Sequence, residues 1–152
     1  MLDVPYYRQH RDYTCAPVCL RMVLAYYGHE ADEVSLTMLC RTTVLGTLAE
    51  AIVEAARQLG FEGEYTFDQG FSTIAWALAA GRPVIVTVDA GILYQEQGIA
   101  GYKHMVVIID ADEETITYHD SQVGGWLTSP ASFFLEAWRA KEREVIWIWP
   151  LI

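Results

Sequence analysis

The sequence predicts an α+β domain, and three observations carry that prediction. Helix-type patterns fill most of the first half of the chain, and each closes on a glycine or a short polar run. Strand-sized apolar runs fill the second half: PVIVTV, HMVVIID, TITYHD and EVIWIWP. Only a short ADEE turn separates the second and third of these runs. Helices first, then a mostly antiparallel sheet with one late helix, is the plan of an α+β fold.

Residues 1–14 read as extended or irregular. A helix starts at Cys15 and runs to Tyr27, with Gly28 as its stop. Pro17 suits a first helical turn, where its missing N–H costs little. Arg21 is the only charged residue between Cys15 and Tyr27, and a helix apolar on nearly all sides is a buried one. A second helix is expected from Asp32 to Leu39. A third is expected from Thr47 to Leu59, ending at Gly60, with Thr47 and Glu50 spaced like a capping box. A strand over Glu64–Phe67 follows, then the helix FSTIAWALAAG, closed by Gly81. Pro83–Val88 reads as a buried strand. Residues 89–103, DAGILYQEQGIAGYK, carry three glycines and no period, so they read as a long loop; loops of that length are uncommon in compact domains and often functional. Strands His104–Asp110 and Thr115–Asp120 come next. Gly124-Gly125 reads as a turn. Ser129-Pro130 opens a helix through Ala140, and Glu144–Pro150 is the last strand.

The 152 residues suit a single domain spanning 1–152, with 53% apolar residues to fill one core. Twenty acidic residues against ten basic ones give a formal net charge of −10, which argues against nucleic-acid binding, because phosphate contacts need clustered Lys and Arg. The longest apolar run, Met105–Ile109, is strand-sized, so no membrane span is expected. The N-terminal MLDVPYYRQ lacks the basic-then-apolar layout of a signal peptide, which makes a cytoplasmic setting the default. Three cysteines, an odd number, leave at least one thiol free and argue against a disulfide framework. His10, His29, His104 and His119 have no companion at metal-ligand spacing, so neither a metal nor another cofactor is expected.

Cys15 is the residue that suggests chemistry. At a helix N-terminus, unpaired N–H groups and the helix dipole favour negative charge, which raises the thiolate fraction. Cys19 and Cys40 sit inside helix patterns and read as buried structural thiols. A nucleophilic thiol needs a base and a group that orients the base. His104 follows the long loop at a strand start, and Asp120 ends the next strand. If that hairpin is symmetric about Asp112, His104 lies directly opposite Asp120 on one face of the sheet. His119 is the rival base, but it points to the other face. Gln9 could offer a side-chain amide to an oxyanion.

These residues resemble papain-like cysteine peptidases, and more closely family thirty-nine, the bacteriocin-processing peptidases. Such domains often form the N-terminal part of ABC transporters and cut leader peptides after a double glycine. The resemblance covers nearly the whole chain: DYTCAPVCLRMVLAYYG, RTTVLGTLAEAIVEAARQLGF, the strand region from GRPVIVTV to KHMVVIIDADEETITYHDS, and LTSPASFFLEAW as a closing helix. It implies Cys15 as nucleophile, His104 as general base, Asp120 as the group orienting His104, and Gln9 with the Cys15 backbone N–H as the oxyanion site. It implies that the polar run HRDYT lines the cleft, a peptide or protein substrate, and a separate ABC transporter as a partner. Transporter-borne members show Asp-Cys-Gly at the nucleophile; here Thr14, Cys15, Ala16 and Pro17 stand there, as in free-standing relatives. Two other functions fit the same residues or fold: a papain-like acyltransferase, and a silent module that only holds a leader peptide. Retention of Cys15, His104 and Asp120 argues against the silent module.

Overall fold

The computed structural model describes residues 1–95 and 103–151. Its elements run α1 (Cys15–Tyr26), α2 (Glu33–Leu39), α3 (Ala49–Gln58), β1 (Phe61–Thr66), α4 (Phe71–Ala79), β2 (Val84–Asp89), α5 (Ala90–Leu93), β3 (Lys103–Ala111), β4 (Thr115–Asp120), β5 (Gly124–Pro130), α6 (Ala131–Arg139) and β6 (Val145–Pro150). Six strands form one sheet in the order β1-β6-β2-β3-β4-β5, and the neighbours pair antiparallel.

Helices cover both faces of this sheet, and two cores result. On one face, Leu20, Met22 and Leu24 of α1 and Ile52 of α3 pack with Ile85, Met105, Val107, Ile109 and Ile146. On the other, Ile74 of α4 and Phe134 and Trp138 of α6 pack with Val84, Val86, Val106, Ile108, Ile116 and Tyr118. Double coverage explains why the central strands read as continuous apolar runs instead of alternating ones. Every residue of β2 is buried.

The near-absence of charge in α1 has the expected consequence. Ala16 through Leu20 and Met22 through Leu24 are buried. Leu20, Met22 and Leu24 are each 0% exposed, and burying such a side chain stabilises by roughly 1.5–3 kcal/mol. Arg21 escapes at the rim, its guanidinium carbon 3.8 Å from the centroid of the Tyr7 ring. Gly28, at φ +85°, lets the chain leave the helix through bonds from its own N–H to the Ala25 carbonyl and from His29 to Leu24.

Several expected details are corrected. The α3 helix has no capping box: Leu48 is its N-cap, with no side-chain cap, and the Thr47 hydroxyl instead meets Thr42 at 2.7 Å. The first strand spans Phe61–Thr66 rather than Glu64–Phe67, because β6 pairs it along its full length. The loop expected over 89–103 begins with α5, capped by the Asp89 side chain accepting from the Ile92 N–H, and ends inside β3; its residues 96–102 lie outside the described residues. Gly124-Gly125 is not a turn but the start of edge strand β5, and the last helix begins only at Ala131, so Leu127–Pro130 is strand. Gly125 is required there by close approach, since a Cβ on it would sit 2.8 Å from the Tyr6 ring.

The register of the β3–β4 hairpin also differs. Val107 pairs with His119 and Ile108 with Tyr118, whereas nearer the turn Asp110 pairs with Thr117 and Ala111 with Ile116. One extra residue on β3, between Ile108 and Asp110, separates the two registers. His104 is therefore not directly opposite Asp120; continued to the strand end, the register puts it diagonal to Asp120. The two nevertheless share a face. Had the turn-end register run on without the bulge, every β3 residue beyond it would have changed sides relative to β4.

Candidate active site

Cys15 is the first residue of α1 and is half-buried. The N-cap residue, Thr14, makes no side-chain cap bond to the helix. Among the described residues the N–H groups of Cys15 and Ala16 have no hydrogen-bond partner, and Pro17 has no N–H to offer. Among the described residues, no acceptor therefore meets these N–H groups beside the thiol. The other two thiols are fully buried. Burial pushes Cys40 up to about 12 and, with the nearby Cys15 and Asp120 charges, pushes Cys19 well above its ordinary value. The Cys19 Sγ also faces the Met105 carbonyl at 3.5 Å.

His104, at the start of β3, is 3% exposed. Its Nε2 lies 2.7 Å from Asp120 Oδ1, and the Cys15 side chain also favours the protonated ring. Burial by itself would depress the imidazole. The hydrogen bonds to Asp120 and Cys15 and the charges of both outweigh that, and carry it from 6.5 to about 9.

Asp120 is 0% exposed and is well supplied with donors. Oδ1 accepts from the Gln122 N–H at 2.9 Å and the Val123 N–H at 3.3 Å as well as from His104. Oδ2 accepts from the Tyr94 hydroxyl. Although burial opposes it, His104, Tyr94 and the Gln122 N–H hold the carboxyl below its usual range. Burial and the Asp120 charge raise Tyr94 far above its ordinary value, so it stays a phenol and a donor. Its oxygen in turn lies 3.3 Å from the Tyr118 hydroxyl.

Gln9 is tied to the residue after Asp120. Its N–H donates to the Ser121 carbonyl at 2.9 Å, and its Oε1 accepts from Ser121 Oγ at 2.7 Å. Its Nε2 donates to the Arg11 carbonyl at 2.7 Å, which leaves one amide proton for another acceptor. Of the four residues singled out in the sequence, His104 and Asp120 are hydrogen-bonded, the Cys15 side chain acts on the His104 ring, and Gln9 is anchored to Ser121, next to Asp120.

His119 is placed elsewhere. It is 0% exposed. Nδ1 accepts from the Trp126 N–H at 3.0 Å, which leaves Nε2 to donate to the Val4 carbonyl at 2.7 Å. Burial lowers it further, despite the Val4 bond. Both nitrogens are committed, and the ring is held neutral between Tyr6 and Trp126.

Tyr94 and Ser121 were missed in the sequence. Tyr94 sits in the stretch that reads as a loop, and the Asp89-to-Ile92 cap spacing was the only local sign of order before it. Ser121 carries no signal beyond following Asp120. Among the described residues, no three His, Cys, Asp or Glu side chains cluster as a metal site.

A model of the Peptidase_C39 like family matches residues 1–146. The chain belongs to that family. A search of curated proteins finds no match. Solved structures share the fold of this C39-like chain. The peptidase domain of Streptococcus ComA, a bi-functional ABC transporter involved in quorum sensing, is 23% identical with a TM-score of 0.73, over 95% of this chain and 97% of that one. A C39-like protein from Bacillus anthracis is 18% identical at a TM-score of 0.81, over 97% and 95%. A double glycine motif protease from an AMS/PCAT transporter, solved with its leader peptide, is 19% identical at 0.74, over 99% and 94%. The C39-like chain therefore has the papain-like cysteine peptidase fold. Among its described residues no helix is long and apolar enough to cross a membrane.

Proposed function

We propose that this chain is a thiol endopeptidase that cleaves a leader or propeptide through an acyl-enzyme on Cys15. The observation that carries this reading is the buried His104 ring bound to Asp120 at 2.7 Å, with the Cys15 thiol, at an uncapped helix start, acting on the same ring. The Cys15 sulfur attacks the scissile carbonyl as its proton passes to His104. The oxyanion forms against the Cys15 N–H and the spare Gln9 amide proton. His104 then gives its proton to the leaving amine, the C–N bond breaks, and a thioester remains on Cys15. Water, deprotonated by His104, hydrolyses the thioester and regenerates the thiol. Asp120 holds the ring and stabilises the imidazolium.

An extended peptide as substrate is supported by the surface beside His104. A cavity of about 460 Å³ is lined by Arg41, Leu45, Thr47, Leu48 and Lys103, the residue before His104. Leu45 and Leu48 are 96% and 67% exposed at its rim. A separate ABC transporter as partner and cytoplasmic action belong to the same reading; their support is the transporter origin of similar peptidase domains.

The test is covalent trapping with peptide aldehydes of varied sequence, together with iodoacetamide labelling and peptide mapping. Preferential labelling of Cys15 and aldehyde capture there are expected. Equal or faster labelling of Cys19 or Cys40 sinks the nucleophile assignment. Product analysis with an added amine separates hydrolysis from acyl transfer.

A further inference from the structure

Glu33, the first residue of α2, is 7% exposed, a rare position for a carboxylate. It spends its acceptors on the loop before Cys15. Oε1 and Oε2 lie 3.2 and 3.1 Å from the His10 backbone nitrogen. Oε1 also meets His10 Nδ1 at 3.1 Å. Oε2 meets the Thr14 hydroxyl oxygen at 3.0 Å. One buried carboxylate therefore binds both ends of the run HRDYT. Those ends adjoin the two oxyanion donors: His10 follows Gln9, and Thr14 precedes Cys15.

The Thr14 hydroxyl explains the uncapped helix. A threonine at an N-cap ordinarily turns its oxygen to an N–H of the first turn. Here the oxygen faces Glu33 Oε2 at 3.0 Å and the Arg11 carbonyl at 2.9 Å, and accepts from the Arg11 N–H at 3.3 Å. A hydrogen bond to an ionised carboxylate is stronger than one between neutral groups. With its hydroxyl drawn away, Thr14 leaves the start of α1 open.

We propose that Glu33 is a positioning residue of the oxyanion site: it sets the spacing of Gln9 and the Cys15 N–H by tying His10 to Thr14. This rests on the peptidase reading. The bonds of Glu33 go to His10 and Thr14, so it acts on the tetrahedral oxyanion and not on formation of the nucleophile. That distinction makes it testable apart from simple structural support.

The experiment compares the unchanged chain with Glu33→Gln, Gln9→Ala and the double variant. Three quantities are read: iodoacetamide alkylation of Cys15, which needs no oxyanion site; affinity for the peptide aldehyde best captured by the unchanged chain, whose hemithioacetal does need it; and kcat and KM on the matching peptide. Glu33→Gln is expected to lower kcat and aldehyde affinity in parallel by about 10- to 100-fold, within the cost of one oxyanion donor. Alkylation and KM should stay within about twofold. The double variant should be little worse than Gln9→Ala, because both changes act on one unit. Unchanged kcat, additive losses, or alkylation falling as far as kcat would each overturn the proposal. If Glu33→Gln does not fold, Thr14→Val and Thr14→Ser replace it. The valine should reproduce the selective loss and the serine should restore activity; equal behaviour of the two overturns the proposal. If the unchanged chain captures no aldehyde, or alkylates faster at Cys19 or Cys40, the peptidase reading itself has failed, and the inference fails with it.

Discussion

The β3–β4 hairpin holds two buried histidines in opposite chemical states. His104 and His119 are 3% and 0% exposed, so burial does not separate them. Their partners do. His104 faces a carboxylate and a thiol, and both stabilise its charged form. His119 faces a backbone carbonyl and a backbone N–H, which together demand the neutral ring. A buried imidazole becomes a candidate catalyst when its neighbours can carry the opposite charge; otherwise it is a polar peg in the core.

The sharpest way to break this contrast is to remove each ring in turn. Cys15→Ala and His104→Ala should abolish peptide cleavage, with melting curves showing the fold intact. His119→Ala should leave turnover per folded molecule nearly unchanged. If His119→Ala kills activity in a well-folded protein and His104→Ala does not, the assignment of the base is wrong.

Asp120 should come next. Asp120→Asn keeps the shape but loses the charge, and a fall in turnover of about 10²- to 10⁴-fold is expected. Its pH profile sharpens the point. In the proposed mechanism the protonated ring is the acid for the leaving amine, so kcat/KM of the unchanged chain should fall as pH rises through about 9. Asp120→Asn should move that alkaline limb to lower pH, because a hydrogen bond and a charge that hold the proton are gone. The same shift has a stability counterpart. The folded-state value lies above the ordinary 6.5, so the stabilisation is full below 6.5 and is lost as pH rises through about 9. Chemical denaturation across that range checks it.

A smaller effect is expected of Tyr94→Phe, which takes the donor from Asp120 Oδ2 and leaves the His104 bond in place. Turnover should drop about tenfold, within the worth of one hydrogen bond to a charged group. An unchanged rate would show that the backbone N–H groups of Gln122 and Val123 suffice. The mildest effect on chemistry falls on His119, where the cost is in stability. His119→Ala leaves the Val4 carbonyl and Trp126 N–H without their partner; Val4 is buried, and an unsatisfied buried carbonyl costs about 1–3 kcal/mol. Unfolding in urea measures it.

The hairpin also shows where inference from sequence succeeds for an incomplete reason. His104 and Asp120 were paired through a symmetric turn at Asp112, and the structure brings them together by another route. The turn-end register has the wrong parity, and one extra β3 residue restores it. Residue types and strand phases are written locally, so the pair could be nominated. A bulge answers to packing on both faces of the sheet, and nothing local in IIDADEE announces it. The edge strands were obscured for a related reason. β5 opens on Gly124-Gly125, and that dipeptide means a turn by propensity; its use here as strand depends on the Tyr6 ring lying against Gly125.

The sequence by itself determined the α+β order, the buried helix that begins at Cys15 and the choice of candidate site residues, because periodicity, composition and motif spacing are properties of short stretches of chain. Only the tertiary structure decided which histidine carries charge, which thiol stays accessible, how Tyr94 backs Asp120, and why Thr14 leaves its helix uncapped. Each of those depends on a partner brought from elsewhere in the chain. Tyr94 reaches Asp120 across 26 residues, and Glu33 reaches Thr14 across 19. An electrostatic state depends on such partners and on the loss of water around them, and neither exists until the chain has folded.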